Sequence, residues 1–138
     1  ILKIYKNVLS GEKHYALVKN IKSNDLAYLT RMHRLDVPKD IFEEKNIFGD
    51  EISQSFKLIE KNGAGAIVLI NSDMSPNIMK IFDQRKKQKN KMELREYGVG
   101  AQILTDLGIR KIILLTNSNK RIIALNGFGI EIVSQQKI

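Results

Sequence analysis

The chain has 138 residues, 43% of them hydrophobic, with 23 Lys and Arg against 15 Asp and Glu, a formal net charge of +8. That length suits one domain and is short for two, and the aliphatic content can bury a core without covalent staples. The chain contains no cysteine, which excludes disulfides, thiolate zinc sites, iron–sulfur clusters and cysteine nucleophiles together.

In chain order, Tyr15–Val18 and Leu26–Met32 are short β-prone runs joined by the turn-like Lys22-Ser23-Asn24-Asp25. A helix is expected from Gly49 or Asp50, with Asp50 as cap and Ile52, Phe56 and Ile59 on one face, ending at Gly63-Ala64-Gly65. Ala66–Ile70 is continuously apolar, as a strand buried on both faces would be. Ser75-Pro76 is a helix start, with Ile78, Ile81 and Phe82 as its apolar stripe.

Arg85, Lys86, Lys87, Lys89 and Lys91 crowd the segment RKKQKNK. Such a run attracts phosphate in a salt-dependent way, but it has no aromatic residue for base stacking. A solvated helix end or loop is therefore favoured over a nucleic-acid partner. A helix over Glu93–Leu107 puts Leu94, Tyr97, Ala101, Leu104 and Gly108 along one side. Gly98 and Gly100 inside it each cost roughly 1 kcal/mol relative to Ala, which implies close backbone packing or a helix that starts after Gly100. Lys111–Leu115 reads as a buried strand, Arg121–Leu125 as a short helix, Gly127 and Gly129 as a turn, and Ile130–Val133 as a last strand. The alternation predicts an α/β fold, a layered mixed sheet with packed helices, without fixing the strand order.

Glu93 and Arg95 stand at a helix start, and Thr116, Asn117, Ser118 and Asn119 follow a buried strand and lead into Lys120-Arg121. Loops after the strands of open α/β sheets bind ligands, and helix N-termini favour anions. Thr116 and Arg121 are thus candidates to touch a phosphate-bearing ligand, against the plainer reading that Asn and Ser cap the next helix. His14 and His33, the only histidines, are isolated and read as structural rather than metal-ligating.

Three stretches carry a resemblance: Glu93-Leu94-Arg95-Glu96-Tyr97-Gly98-Val99-Gly100-Ala101-Gln102-Ile103-Leu104, then Leu114-Leu115-Thr116-Asn117-Ser118, then Gly127-Phe128-Gly129-Ile130-Glu131. With the weaker Ala16-Leu17-Val18 and Arg31-Met32-His33, they resemble the GTP cyclohydrolase II family over most of the chain, with a poor match in the middle. The resemblance implies the fold of that family and a place in riboflavin synthesis. It puts Glu93 where the family has a catalytic Asp, keeps its partner as Arg95, keeps Thr116, and places Arg121 at a phosphate-contacting Lys. Arg31 and His33 become candidate remnants of the nucleotide site.

The family's zinc is held by three cysteines, and the resemblance sets Asp36, Asn46 and Phe48 at those positions. Asn46 and Phe48 supply no thiolate, so no metal site and no cofactor are expected. The family's Arg-Gln-Glu-Gly-Arg-Gly nucleotide motif is replaced by Asn71-Ser72-Asp73-Met74-Ser75-Pro76. In this family zinc activates the water that opens the guanine ring, so the resemblance implies a degenerate domain that has lost its reaction. Such domains are often fused behind 3,4-dihydroxy-2-butanone 4-phosphate synthase. The start at Ile1 rather than Met agrees with residues 1–138 being one domain excised from a longer chain with an N-terminal synthase domain. A structural or regulatory role, a homodimer, weak binding of a nucleotide or sugar phosphate, no membrane partner and a cytoplasmic location complete the expectation. No apolar run approaches the roughly 20 residues that span a bilayer, and no signal-peptide pattern is present.

Overall fold

The computed structural model describes residues 1–35, 50–71, 89–118 and 123–138, with backbone alone described at 50, 89–94, 123 and 124. Six strands form one mixed sheet in the order β1-β2-β4-β3-β5-β6. They are β1 (Leu2–Lys6), β2 (Lys13–Lys19), β3 (Ala27–Leu35), β4 (Gly65–Asn71), β5 (Lys111–Leu115) and β6 (Glu131–Gln136). β1–β2 and β2–β4 are antiparallel, whereas β4, β3, β5 and β6 run parallel. β1 and β2 make a hairpin whose turn is closed by Asn7, with Oδ1 accepting from the Leu9 and Ser10 amides at 2.9 and 3.2 Å. β1 is an additional strand to those read from the sequence.

Among the described residues, two α-helices sit on opposite faces. α1 (Asp50–Asn62) covers a core of Leu29, Ile59, Ile67 and Leu115. α2 (Lys89–Asp106) covers the larger core, which includes Ala16, Val68, Ile70, Ala101, Leu104 and Ile112. The continuous apolar run of β4 supplies both: Val68 faces one core and Ile67 the other, as the strand period of two requires. Burying this strand from both sides is what turns its local sequence into the middle of a layered fold.

The helix start at Asp50 and the stop at Gly63 stand as read; Gly63 has φ +83° and its amide donates to the Ile59 carbonyl at 2.9 Å. The apolar stripe of α1 needs correction. Ile52 and Ile59 are buried, but Phe56 is 45% exposed, and Ser55 is fully buried in its stead. The Ser55 hydroxyl donates to the Glu51 carbonyl at 2.6 Å, so burying it leaves no unmade hydrogen bond and a small residue meets the sheet.

α2 starts four residues before Glu93, inside the basic run, and is unbroken through both glycines. Of the two explanations for Gly98 and Gly100, close packing is the correct one. A methyl group at Gly100 would overlap Met32 Cε and lie 3.3 Å from Ile70 Cδ1, and one at Gly98 would lie 3.2 Å from Phe128 Cζ. The helix buries Ile103 as well as the expected Ala101 and Leu104, and Leu107, just past its end, is buried too. Gly108 lies past its end at φ +75°, its amide donating to the Thr105 carbonyl. A 3-10 helix (Ile123–Phe128) occupies most of the place expected for a short α-helix and the start of the turn after it, and leads to β6. The Ser75-Pro76 helix, Arg85–Lys87 and Arg121 lie outside the described residues. No helix among the described residues is long and apolar enough to cross a membrane.

Candidate functional site

A polar cluster lies where β5 stops and β3 continues. Thr30 pairs with Leu114, so Arg31 stands level with the last residue of β5. Beyond that point β3 has no paired strand on the β5 side among the described residues, and the Arg31 guanidinium takes over: its Nη1 donates to the Leu115 carbonyl at 2.9 Å. Its Nη2 pairs with Oε2 of Glu51, in the first turn of α1. The other Glu51 oxygen accepts from Asn117 Nδ2 at 3.3 Å, and Asn117 Oδ1 accepts from the Ile138 amide at 3.1 Å. The Arg31 side chain is only 11% exposed, against 38% for Glu51. Burial lowers the Arg31 pKa and the Glu51 charge works against that shift. Arg31 Nε is buried and has no hydrogen-bond partner among the described residues.

Thr116 follows directly, 8% exposed. Its amide continues the β5–β6 ladder to the Gln136 carbonyl at 2.9 Å, and its Oγ1 accepts from the Ser118 amide at 3.0 Å. The strand alternation puts His33 on the same face as Arg31, half-buried and level with Leu69 of β4. Arg31 and His33 therefore share the α1 side of the sheet, whereas Thr116, next after Leu115 of the α1-side core, alternates away from it.

Arg95 and Glu93 belong to the other side, on α2. The Arg95 Nη2 lies 3.3 Å from Oε2 of Glu12, just before β2, with its side chain 60% exposed. For Glu93 only the backbone position in the first part of α2 is described. On β3 the residue after His33 alternates to this face, where Arg34 Nε lies 3.1 Å from Glu96 Oε1. His14 is buried here, 3% exposed, with Nδ1 accepting from the Asn71 amide at 3.2 Å. Its Nε2 has no hydrogen-bond partner among the described residues. Burial lowers its pKa; Glu12 opposes the shift and Arg95 adds to it.

Sequence reasoning missed Glu51 as the residue that engages Arg31, and Asn117 as the residue that holds Glu51. The available signal was weak: a carboxylate in the first turn of a helix, which its dipole favours, and an Asn just after a strand. Nothing local couples either to an arginine 20 or more residues away.

The residues do not fit the zinc that the resemblance implies. Asp36, Asn46 and Phe48 offer one carboxylate, one amide and one phenyl ring where three thiolates are needed, and all three lie outside the described residues. Among the described residues no group of three or more His, Cys, Asp and Glu converges.

A family model described as GTP cyclohydrolase II matches residues 1–137. The riboflavin biosynthesis protein RibBA of Chlorobium phaeovibrioides is 34% identical over 149 residues, covering 97% of this chain and 36% of that protein. The RibBA of Aquifex aeolicus is 32% identical, covering 97% of this chain and 37% of that protein. The chain thus spans little more than a third of the length of these relatives. The crystal structure of RibBX, a two domain 3,4-dihydroxy-2-butanone 4-phosphate synthase from A. baumannii, matches 99% of this chain and 34% of its own with a TM-score of 0.62. At 23% identity that match speaks for the fold alone.

Proposed function

The chain belongs to the GTP cyclohydrolase II family, and we propose that within it this is a degenerate, catalytically silent domain of a riboflavin-biosynthesis protein. Residues 1–138 form one domain of a longer polypeptide, with a structural or regulatory role beside a 3,4-dihydroxy-2-butanone 4-phosphate synthase domain. The observation that carries the reading is the donor chemistry: a chain with no cysteine places Asp36, Asn46 and Phe48 where the family pattern has thiolates. Opening the guanine ring needs an activated water, and the family obtains it from zinc. None of the three residues rebuilds a tetrahedral sulfur site.

The arrangement of the arginines supports the same reading. Arg31 is engaged by Glu51 and the Leu115 carbonyl, and Arg95 by Glu12 on the opposite face. The test is a zinc-supplemented assay of the chain with GTP, following formate. No formate above the protein-free blank is expected, and sustained release would overturn the proposal.

A second reading, a binding module for a nucleotide or sugar phosphate, is favoured by one observation: Arg31 stands level with the last residue of β5, and the buried Thr116 is the residue after it, at the strand end where open α/β sheets receive ligands. Calorimetry with GTP, GDP and ribulose 5-phosphate decides it, and no heat at millimolar ligand removes it.

A further inference from the structure

We propose that Glu51 is an internal anion occupying the binding edge of Arg31, so that this domain excludes phosphate-bearing ligands from a position otherwise built to hold them. The inference rests on the reading of the site as degenerate and names the residue that closes it to anions.

Three features support the assignment. The guanidinium is the more deeply buried partner, 11% exposed against 38% for the carboxylate. An anion approaching Arg31 from solvent must therefore compete with a charge that is already in contact and better exposed. The carboxylate is also held from its other oxygen: Asn117 Nδ2 donates to it at 3.3 Å and is itself tied through Oδ1 to the Ile138 amide. Glu51 thus bridges α1, β3 and the exit of β5 and does not dangle from a helix end. Finally, it sits in the first turn of a 13-residue helix, where the dipole favours a carboxylate. Displacing it would cost that interaction together with the ion pair.

The arginine keeps the marks of a site nonetheless. Its Nε–H is buried without a partner among the described residues, and an unmade hydrogen bond on a buried charged group is unfavourable. A neutral residue at position 51 would leave Nη2 and Nε as adjacent donors, the edge that guanidinium groups present to phosphate oxygens.

The experiment compares the full chain with E51Q by calorimetry, using inorganic tripolyphosphate as probe. Gln retains the size of Glu and one acceptor oxygen, replaces the other oxygen with an NH2 donor, and carries no charge. Glu51→Gln is expected to bind tripolyphosphate about tenfold or more tightly than the unmodified chain, the scale of removing one like charge from a partly buried site. Adding Arg31→Met to Glu51→Gln should abolish the gain. Equal affinity of Glu51→Gln and the unmodified chain, or a gain that survives Arg31→Met, overturns the inference.

A measurement on the unmodified chain covers the case in which a variant fails to fold. The Arg31 Nε–H resonance should stay in place as tripolyphosphate is added, and a saturable shift of it overturns the inference. The outcomes also separate the two proposals. Tight probe binding through Arg31 without formate release sinks this one alone, while formate release from GTP sinks the reading beneath it.

Discussion

Gly98 and Gly100 lie two residues apart in α2, and the same substitution should act on them with opposite sign. Replacing either by Ala removes the helix penalty of glycine, a gain of roughly 1 kcal/mol. At Gly98 the new methyl would meet Phe128 Cζ at 3.2 Å, and that ring is 47% exposed. It can tilt outward by a few tenths of an ångström, so most of the gain is kept, about 0.5–1 kcal/mol. At Gly100 the methyl overlaps Met32 Cε and presses on Ile70 Cδ1. Ile70 is 4% exposed, and forcing extra volume into packed surroundings costs about 1–3 kcal/mol. The thioether can move, which holds the penalty to about 1.5–2 kcal/mol. Gly100→Ala should therefore lose about 0.5–1 kcal/mol on balance.

For a chain of this size 1 kcal/mol corresponds to about 3–4 °C in melting temperature, so the two variants should differ by roughly 3–8 °C. Urea unfolding followed by circular dichroism gives the same comparison through its midpoints, provided the slopes agree. Two variants stabilised alike would refute the argument, because the backbone term alone would then explain both. Two variants destabilised alike would show that the Phe128 ring cannot yield.

Two predictions concern pH. The buried His14 ring has its pKa lowered from the ordinary 6.5, so the folded chain keeps it neutral while the unfolded chain takes up a proton. The associated stability is present above pH 6.5 and is lost as pH falls through the lowered folded value. His14→Gln should flatten that acid limb of the urea midpoint against pH, and an unaltered limb would refute the assignment. Tyr5 donates its hydroxyl to Asp106 at 2.8 Å, and burial followed by the Asp106 hydrogen bond and charge raises its pKa from 10.0. Its contribution is present below pH 10.0 and is lost as pH rises through the raised value. Tyr5→Phe should cost about 0.5–1 kcal/mol at neutral pH and remove part of the alkaline loss; phenolate absorbance titrating at the ordinary value in the unmodified chain would contradict it.

Where most elements lie, and to which family the chain belongs, is legible from short stretches of residues. Ala66–Ile70 and Lys111–Leu115 announce buried strands, Gly63 ends α1, and Tyr97-Gly98-Val99-Gly100 carries the family likeness, all through signals confined to a few neighbouring residues. The missing cysteines are likewise a property of composition and need no coordinates. Tertiary structure decided what stands beside what. β3 enters between β4 and β5, although β4 and β5 follow it in the chain, and no local periodicity specifies that insertion. Pairing across the sheet set the neighbours of Arg31: Leu115 is 84 residues away and Glu51 is 20.

The same cause explains the exchange of Phe56 for Ser55, because helical spacing marks a face only to within one side chain and the sheet beneath selects among them. It also separates Arg31 from Arg95. Both are legible as candidate residues in the sequence, but only packing α1 and α2 on opposite faces shows that each arginine has its own carboxylate.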